Sequence, residues 1–187
     1  MTTTTSTEQL TGTWAIDTAH SRLGFSVRHA GIATVRGSFT GFEGELVLDG
    51  ATPANSKATA TVQTDTFTTG NEQRDGHIKS ADFLEVETYP TVTFASTEVR
   101  PDGDDYVLVG DLTIRGVTRP VEIAVEVEGQ AVDPFGNTRV GFSGETQINR
   151  KDFGLTWNAA LETGGVLVGD KVKITLDISA VKAPETA

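Results

Sequence analysis

The chain has 187 residues, with 26 acidic side chains against 15 basic ones, a formal charge of −11 and no cysteine. That charge argues against non-specific binding to nucleic acid, which needs a basic surface to displace counterions from phosphates, and against adsorption to anionic lipid headgroups. Without cysteine there is no disulfide, no thiolate metal site and no thiol nucleophile.

Residues 1–12 read as a polar, Thr-rich tail that is expected to be disordered. The tail has neither a basic segment nor an apolar run, so no signal peptide is expected, and the expected compartment is the cytoplasm. No apolar run in the chain approaches the ~18 residues that a membrane helix needs. A single domain is expected over residues 13–182, followed by a short tail, 183–187.

Within the domain, alternation of apolar and polar side chains marks strands. Leu23, Phe25, Val27 and His29 share one face, and Arg22, Ser26 and Arg28 the other. Val35, Gly37 and Phe39 alternate with Arg36, Ser38 and Thr40. Strands are expected next at Glu43 to Asp49 and at Ser56 to Thr66.

Thr69 to Pro90 breaks the pattern. Thr69-x-x-Glu72 has the spacing of a capping box, in which a hydroxyl meets the third helical amide and a carboxylate reaches back. Gly76 weakens the helix, so two or three turns are expected within about 69–85, with Ile78, Phe83 and Leu84 as the buried side. Tyr89-Pro90 ends the segment, because the residue before proline disfavours helix. A β-structure that makes one such excursion uses it as a lid, as a cap on a barrel end or as a polar site.

Alternation resumes from Thr91 to Val99 and turns at Pro101-Asp102-Gly103-Asp104. It continues through Tyr106 to Ile114 and Val121 to Val127, turns again at Asp133 to Asn137, and runs through Thr138 to Asn149 and Lys171 to Val181. Roughly eight antiparallel strands, each with one apolar face, must close on themselves or pack against another sheet. From the pattern alone, a sandwich and an up-and-down barrel both remain open. Strand glycines at positions 24, 37, 41, 110, 141 and 144 favour bends and remove volume from the interior, which points towards a hollow barrel.

Candidate chemistry is thin. His20, His29 and His77 are too irregularly spaced for a metal site. Asp17, His20 and Ser21 can be assembled into a nucleophilic triad on paper, but there is no G-x-S-x-G elbow, and Gly141-Phe142-Ser143-Gly144 falls one residue short of it. The densest polar cluster is Arg74-Asp75-x-His77, with a second polar knot at Asn149 to Gly154. The aromatic residues Phe25, Phe39, Phe94, Phe142 and Trp157 would line a cavity in a hollow barrel and would be plain core in a sandwich.

Several segments, taken in order, resemble the YceI-like polyisoprenoid-binding family. They are Asp17-x-x-His20-Ser21-x-x-x-Phe25-x-Val27-x-His29, Val35-x-Gly37-x-Phe39, Arg74-Asp75-x-His77-Ile78-x-Ser80-x-Asp82-Phe83, Tyr89-Pro90-x-Val92-x-Phe94, Gly110 to Thr118, Ile148 to Gly154 and Val168-Gly169-Asp170-x-Val172. The resemblance covers Trp14 to Val181. It implies a lipocalin-like, eight-stranded antiparallel barrel with a helical insertion, acting as a carrier or store of a long-chain isoprenoid lipid, often as a homodimer, with no catalytic centre and no metal. Under that reading Phe25, Val27, Phe39, Phe94, Leu112, Ile114, Phe142 and Trp157 form an apolar cavity. His20, His29, Arg74, His77, Arg115 and Arg150 form a polar mouth that meets the headgroup. The expected ligand is a polyisoprenoid or an isoprenoid quinone. No nucleic-acid partner, stable membrane insertion or separate cofactor is expected. The alternative is a small barrel enzyme acting on an apolar substrate.

Overall fold

The alternating segments form strands in the computed structural model, which describes residues 7–184. The strands are β1 (Gly12–Ile16), β2 (Arg22–His29), β3 (Ala33–Phe39), β4 (Phe42–Leu48), β5 (Lys57–Gln63), β6 (Phe67–Thr68), β7 (Thr91–Asp102), β8 (Asp105–Ile114), β9 (Val117–Val132), β10 (Thr138–Asn149) and β11 (Val168–Lys182). One helix, α1 (Glu72–Lys79), lies between β6 and β7.

All pairings are antiparallel, and the sheet closes because β11 pairs with β10 on one side and with both β2 and β1 on the other. Three staves of the barrel are bent strands. β1 and β2 are separated by a short turn in which the Asp17 carboxylate accepts a hydrogen bond from the Ala19 amide at 3.1 Å. β3 and β4 divide at Thr40-Gly41, and β5 and β6 at the turn Thr64–Thr66. The last two breaks are tied together, since Gly41 N donates to Thr66 Oγ1 at 2.9 Å. Counting each bent pair once leaves an eight-stave, up-and-down barrel, an architecture with interior room for packed side chains or one small ligand. This closure decides against the sandwich.

The apolar core is concentrated at the two ends. At the end covered by α1, Phe67, Phe83, Leu84, Leu112, Ile114, Ile148, Phe153 and Leu155 are buried together. At the other end Leu10, Trp14, Val140 and Ala180 form a plug. Between them, Val172, Ile174, Leu176 and Ile178 all face inward from β11 yet are only partly buried. Inward side chains that keep accessible surface mean a hollow middle.

Two glycines shape that hollow. A Cβ on Gly37 would collide with the Phe25 ring, and one on Gly110 with the Phe94 ring. Both rings therefore lie flat along the wall instead of projecting across the lumen. Gly24 and Gly141 depart from the expectation that the strand glycines clear the interior. Added Cβ atoms there would meet Thr175 and Glu128 on the outer surface.

The helix, about two turns over Glu72–Lys79, lies within the expected 69–85 segment, but its cap is not the expected one. Asn71, not Thr69, caps it, its Oδ1 accepting from Arg74 N at 3.0 Å. Thr69 is held by Asp75 instead, donating to Oδ1 through its amide at 2.8 Å and its hydroxyl at 2.6 Å. Asp75 thus competes successfully for the residue that the capping-box spacing assigned to the helix start. The helix has no buried residues. Phe83 and Leu84 follow it in a run of turns and supply the burial that it lacks.

At the N-terminus, residues that the sequence places in a tail are folded. Thr7–Leu10 forms a helical turn, Leu10 is buried, and Trp14 Nε1 donates to the Leu10 carbonyl at 2.9 Å. At the other end Ala183 N bonds Thr13 O at 2.8 Å. The remaining parts of both expected tails, 1–6 and 185–187, lie outside the described residues.

Candidate functional site

Inward positions from every stave enclose one internal cavity of about 490 Å³, with an almost wholly apolar wall. This is within the usual range for small-molecule sites, about 300–1,000 Å³. Phe25, Val27, Phe39, Phe94, Leu112, Ile114, Phe142 and Trp157 all line it. On one side Phe25 stacks on Phe67 with centroids 4.8 Å apart, and Phe39 packs edge-on to Phe67 at 5.4 Å. Leu46, Val62, Leu176 and Ile178 also line the wall, at positions that the sequence reading did not assign to the cavity. The same period of two that marked the strands would have found them.

The cavity runs from α1 to the β4–β5 connection, where Asp49, Ser56 and Lys57 reach it. At the α1 end His77 sits between two apolar rings, edge-on to Trp157 at 4.6 Å and to Phe83 at 5.2 Å. Its Nε2 lies 2.9 Å from Asp82. The ring is therefore an aromatic brick in the cap as well as a polar group at the rim. Arg74 also lines the cavity, with Nε and Nη2 donating to Thr69 at 2.7 and 3.1 Å. His29 lines it from the end of β2 and is exposed.

Three of the polar positions named from sequence have other surroundings. The His20 side chain is 68% exposed on the outer wall, paired with Asp17 at 2.8 Å, and does not line the cavity. Arg115 occupies the two-residue β8–β9 turn. It donates to Phe83 O at 3.1 Å and pairs with Glu85 at 3.3 Å, so it braces the cap from outside. Arg150 is 3% exposed and reaches the cavity wall, but its guanidinium is engaged by backbone carbonyls. It donates to Leu155 at 2.6 Å, Trp157 at 2.8 Å, Gly169 at 2.9 Å and Val168 at 3.3 Å. Burial pushes its pKa below the usual arginine value, and Asp170 offsets part of that shift. Only His29, Arg74 and His77 of the six have both a place on the cavity and an accessible polar surface.

Among the described residues, no group of three or more His, Asp or Glu side chains is placed to hold a metal ion. No helix among them is long and apolar enough to cross a membrane.

A closed eight-stave antiparallel barrel with a hollow apolar interior and a helical cap defines a lipocalin-like binding barrel. Residues 14–180 match the YceI-like domain, and the chain belongs to the YceI-like family. It is 42% identical over 137 residues to a UPF0312 protein of Pectobacterium atrosepticum, covering 73% of this chain and 71% of that one. It is 41% identical over 136 residues to protein YceI of Escherichia coli, with the same coverage, 73% and 71%. Among solved structures it resembles Burkholderia cenocepacia BcnA, with a TM-score of 0.77, 25% identity and 88% and 98% of the two chains covered. It also shares its fold with a polyisoprenoid-binding domain from Saccharophagus degradans implicated in plant cell wall breakdown, with a TM-score of 0.70, 16% identity and 91% and 98% covered.

Proposed function

We propose that the protein binds and sequesters a long-chain apolar lipid, a polyisoprenoid or an isoprenoid quinone, inside the barrel and acts as its carrier or store. The observation that carries this reading is the apolar cavity itself, continuous from the cap to the β4–β5 end. The polyisoprenoid-binding domain of the same fold and the membership of the YceI-like family support it.

The magnitudes favour a tail-driven site. Removing a methylene-sized group from water contributes about 0.8 kcal/mol, so a tail of about twenty carbons contributes on the order of 16 kcal/mol gross. That exceeds an association cost of about 4–15 kcal/mol before any headgroup contact forms. Polar contacts then set orientation and selectivity. In this reading a quinone or phosphate head lies beside α1, within reach of Arg74, His77 and His29.

Native mass spectrometry of the protein purified from its own host tests the proposal. A stoichiometric apolar ligand, extractable with its mass unchanged, is the expected result. An empty barrel, or a ligand that is chemically converted at a rate lost on mutating a polar cavity residue, would overturn the carrier reading, the second outcome in favour of an enzyme. The Arg74→Ala/His77→Ala double variant is expected to keep tail binding and to lose headgroup selectivity. Unchanged selectivity would remove those two residues from the head site.

A further inference from the structure

The β2–β3 edge of the barrel differs in charge from the rest of a strongly acidic molecule. Between Asp17 and Glu43 the chain contains no carboxylate, yet it carries Arg22, Arg28 and Arg36. Alternation turns all three outward, and all three are exposed. The adjoining strand β11 adds Lys171 and Lys173, both exposed. Lys173 is paired with Glu145 at 3.0 Å, and Arg22 faces Asp177 across the strands. Arg28, Arg36 and Lys171 have no carboxylate within ion-pair distance among the described residues.

At the tip of this edge Ile32 is 85% exposed. The turn that presents it is tied by hydrogen bonds. Ala30 and Gly31 take φ of 53° and 72°, Ile32 N bonds His29 O at 3.1 Å, and Arg28 donates to Gly31 O at 3.0 Å and to Thr34 Oγ1 at 2.9 Å. Ala30 N also bonds Leu167 O at 2.7 Å. That bond places the tip beside Val166, which is itself 50% exposed. His29 and Leu167 line the cavity, so the two exposed apolar tips flank its rim.

We propose that this edge docks the barrel on the surface of an anionic lipid bilayer. Ile32 and Val166 enter the interface between headgroup and acyl chain, and Arg28, Arg36 and Lys171 meet the phosphates. The inference rests on the cavity being a lipid site, because a lipid ligand is collected from a bilayer and delivered to one. The formal charge of −11 argued against adsorption of this kind, but it is a property of the whole surface. Charges farther from the membrane than a Debye length, about 8 Å at physiological salt, are screened, so the docked edge decides the interaction. The 155–167 loop contributes one carboxylate, Glu162, to this edge. The opposite end of the barrel supplies a control. Phe135, on the β9–β10 turn, and Val132, at the end of β9, are 88% and 69% exposed, but the cation there, Arg139, is held by Asp17 and Asp133 at 2.7 Å each.

Co-sedimentation with vesicles of phosphatidylcholine, alone or mixed with phosphatidylglycerol, tests this. The wild-type protein is expected to sediment with the phosphatidylglycerol vesicles and to be released by salt. Ile32→Asp is expected to weaken binding roughly tenfold, and Phe135→Asp to leave it unchanged. Ubiquinone delivered in detergent is expected to fill wild type and Ile32→Asp equally, which separates docking from cavity binding. The proposal is overturned if wild type stays in the supernatant with anionic vesicles, or if Ile32→Asp binds them as wild type does. It is equally overturned if light scattering finds a dimer that Ile32→Asp splits with vesicle affinity unchanged, since a second copy then covers the tip. If the vesicle results hold and the barrel takes up no ubiquinone, docking stands and the lipid-site reading falls.

Discussion

Arg150 shows how a conspicuous charge can be architectural. Its guanidinium gathers the carbonyls of Leu155, Trp157, Val168 and Gly169 and so fixes the loop that carries Trp157 onto the cavity. Arg150→Met keeps the length and orphans those carbonyls. The expected loss is about 3 kcal/mol in urea denaturation, and Arg150→Lys should not restore it, because a point charge cannot reach a fork of acceptors. A second residue-scale device is on the outer wall. Arg139 holds both Asp17 and Asp133 down to about 2, with His20 adding to the effect on Asp17. A carboxyl depressed by folding stabilises the native state above its unfolded value near 4 and loses that contribution as pH falls through its folded value. Wild type should therefore lose melting temperature between pH 4 and 2 more steeply than Arg139→Gln, whose melting temperature starts lower and changes less over the same range.

At the scale of elements, the cap is a local unit. α1 has no fully buried side chain, but Ile78 packs half-buried against the core and His77 against Trp157, and the attachment also runs through Thr69, Asp75 and the turn residues Phe83 and Leu84. Asp75→Ala removes two hydrogen bonds to Thr69. It is expected to destabilise the cap by about 1 kcal/mol, which corresponds to roughly fivefold faster release of a bound lipid, with global unfolding little changed. Hydrogen exchange over residues 69–79, set beside a release assay, would check it. The existence of this element was legible because charged, non-alternating sequence interrupts a β pattern. Its start was not, because Thr69 and Asn71 are both good cap residues, and only the tertiary bond from Asp75 to Thr69 decides between them. The staves were legible from alternation, whereas their bends at Asp17–Ser21, Thr40-Gly41 and Thr64–Thr66 depend on contacts such as Gly41 to Thr66 that no local pattern records. His20 and Arg115 show the same limit at the site. Polarity near a strand end does not say which side of the wall a side chain occupies.

For the whole molecule, the decisive property is that side chains do not fill the interior where the wall is apolar. Phe142 or Leu176 would have the same sequence pattern in a filled core and in a hollow barrel, so the period-two signal names the wall without saying whether it encloses space. Stability and binding should separate for that reason. Phe153 is 1% exposed and belongs to the packed end, whereas Leu176 is a partly buried wall residue facing the cavity. Phe153→Ala should cost about 3–5 kcal/mol, the usual result of opening a void in close-packed surroundings. Leu176→Ala should cost nearer 1 kcal/mol, because the space beside it is already open and few contacts are lost. The converse substitution is the sharper test. Overpacking a filled core costs about 1–3 kcal/mol, but Leu176→Trp adds volume into the cavity and should leave the unfolding midpoint close to that of wild type. The same indole occupies space that a lipid tail needs, so the lipid recovered with the protein should fall severalfold. Equal loss of stability and of lipid in Leu176→Trp would mean that the middle of the barrel is packed after all.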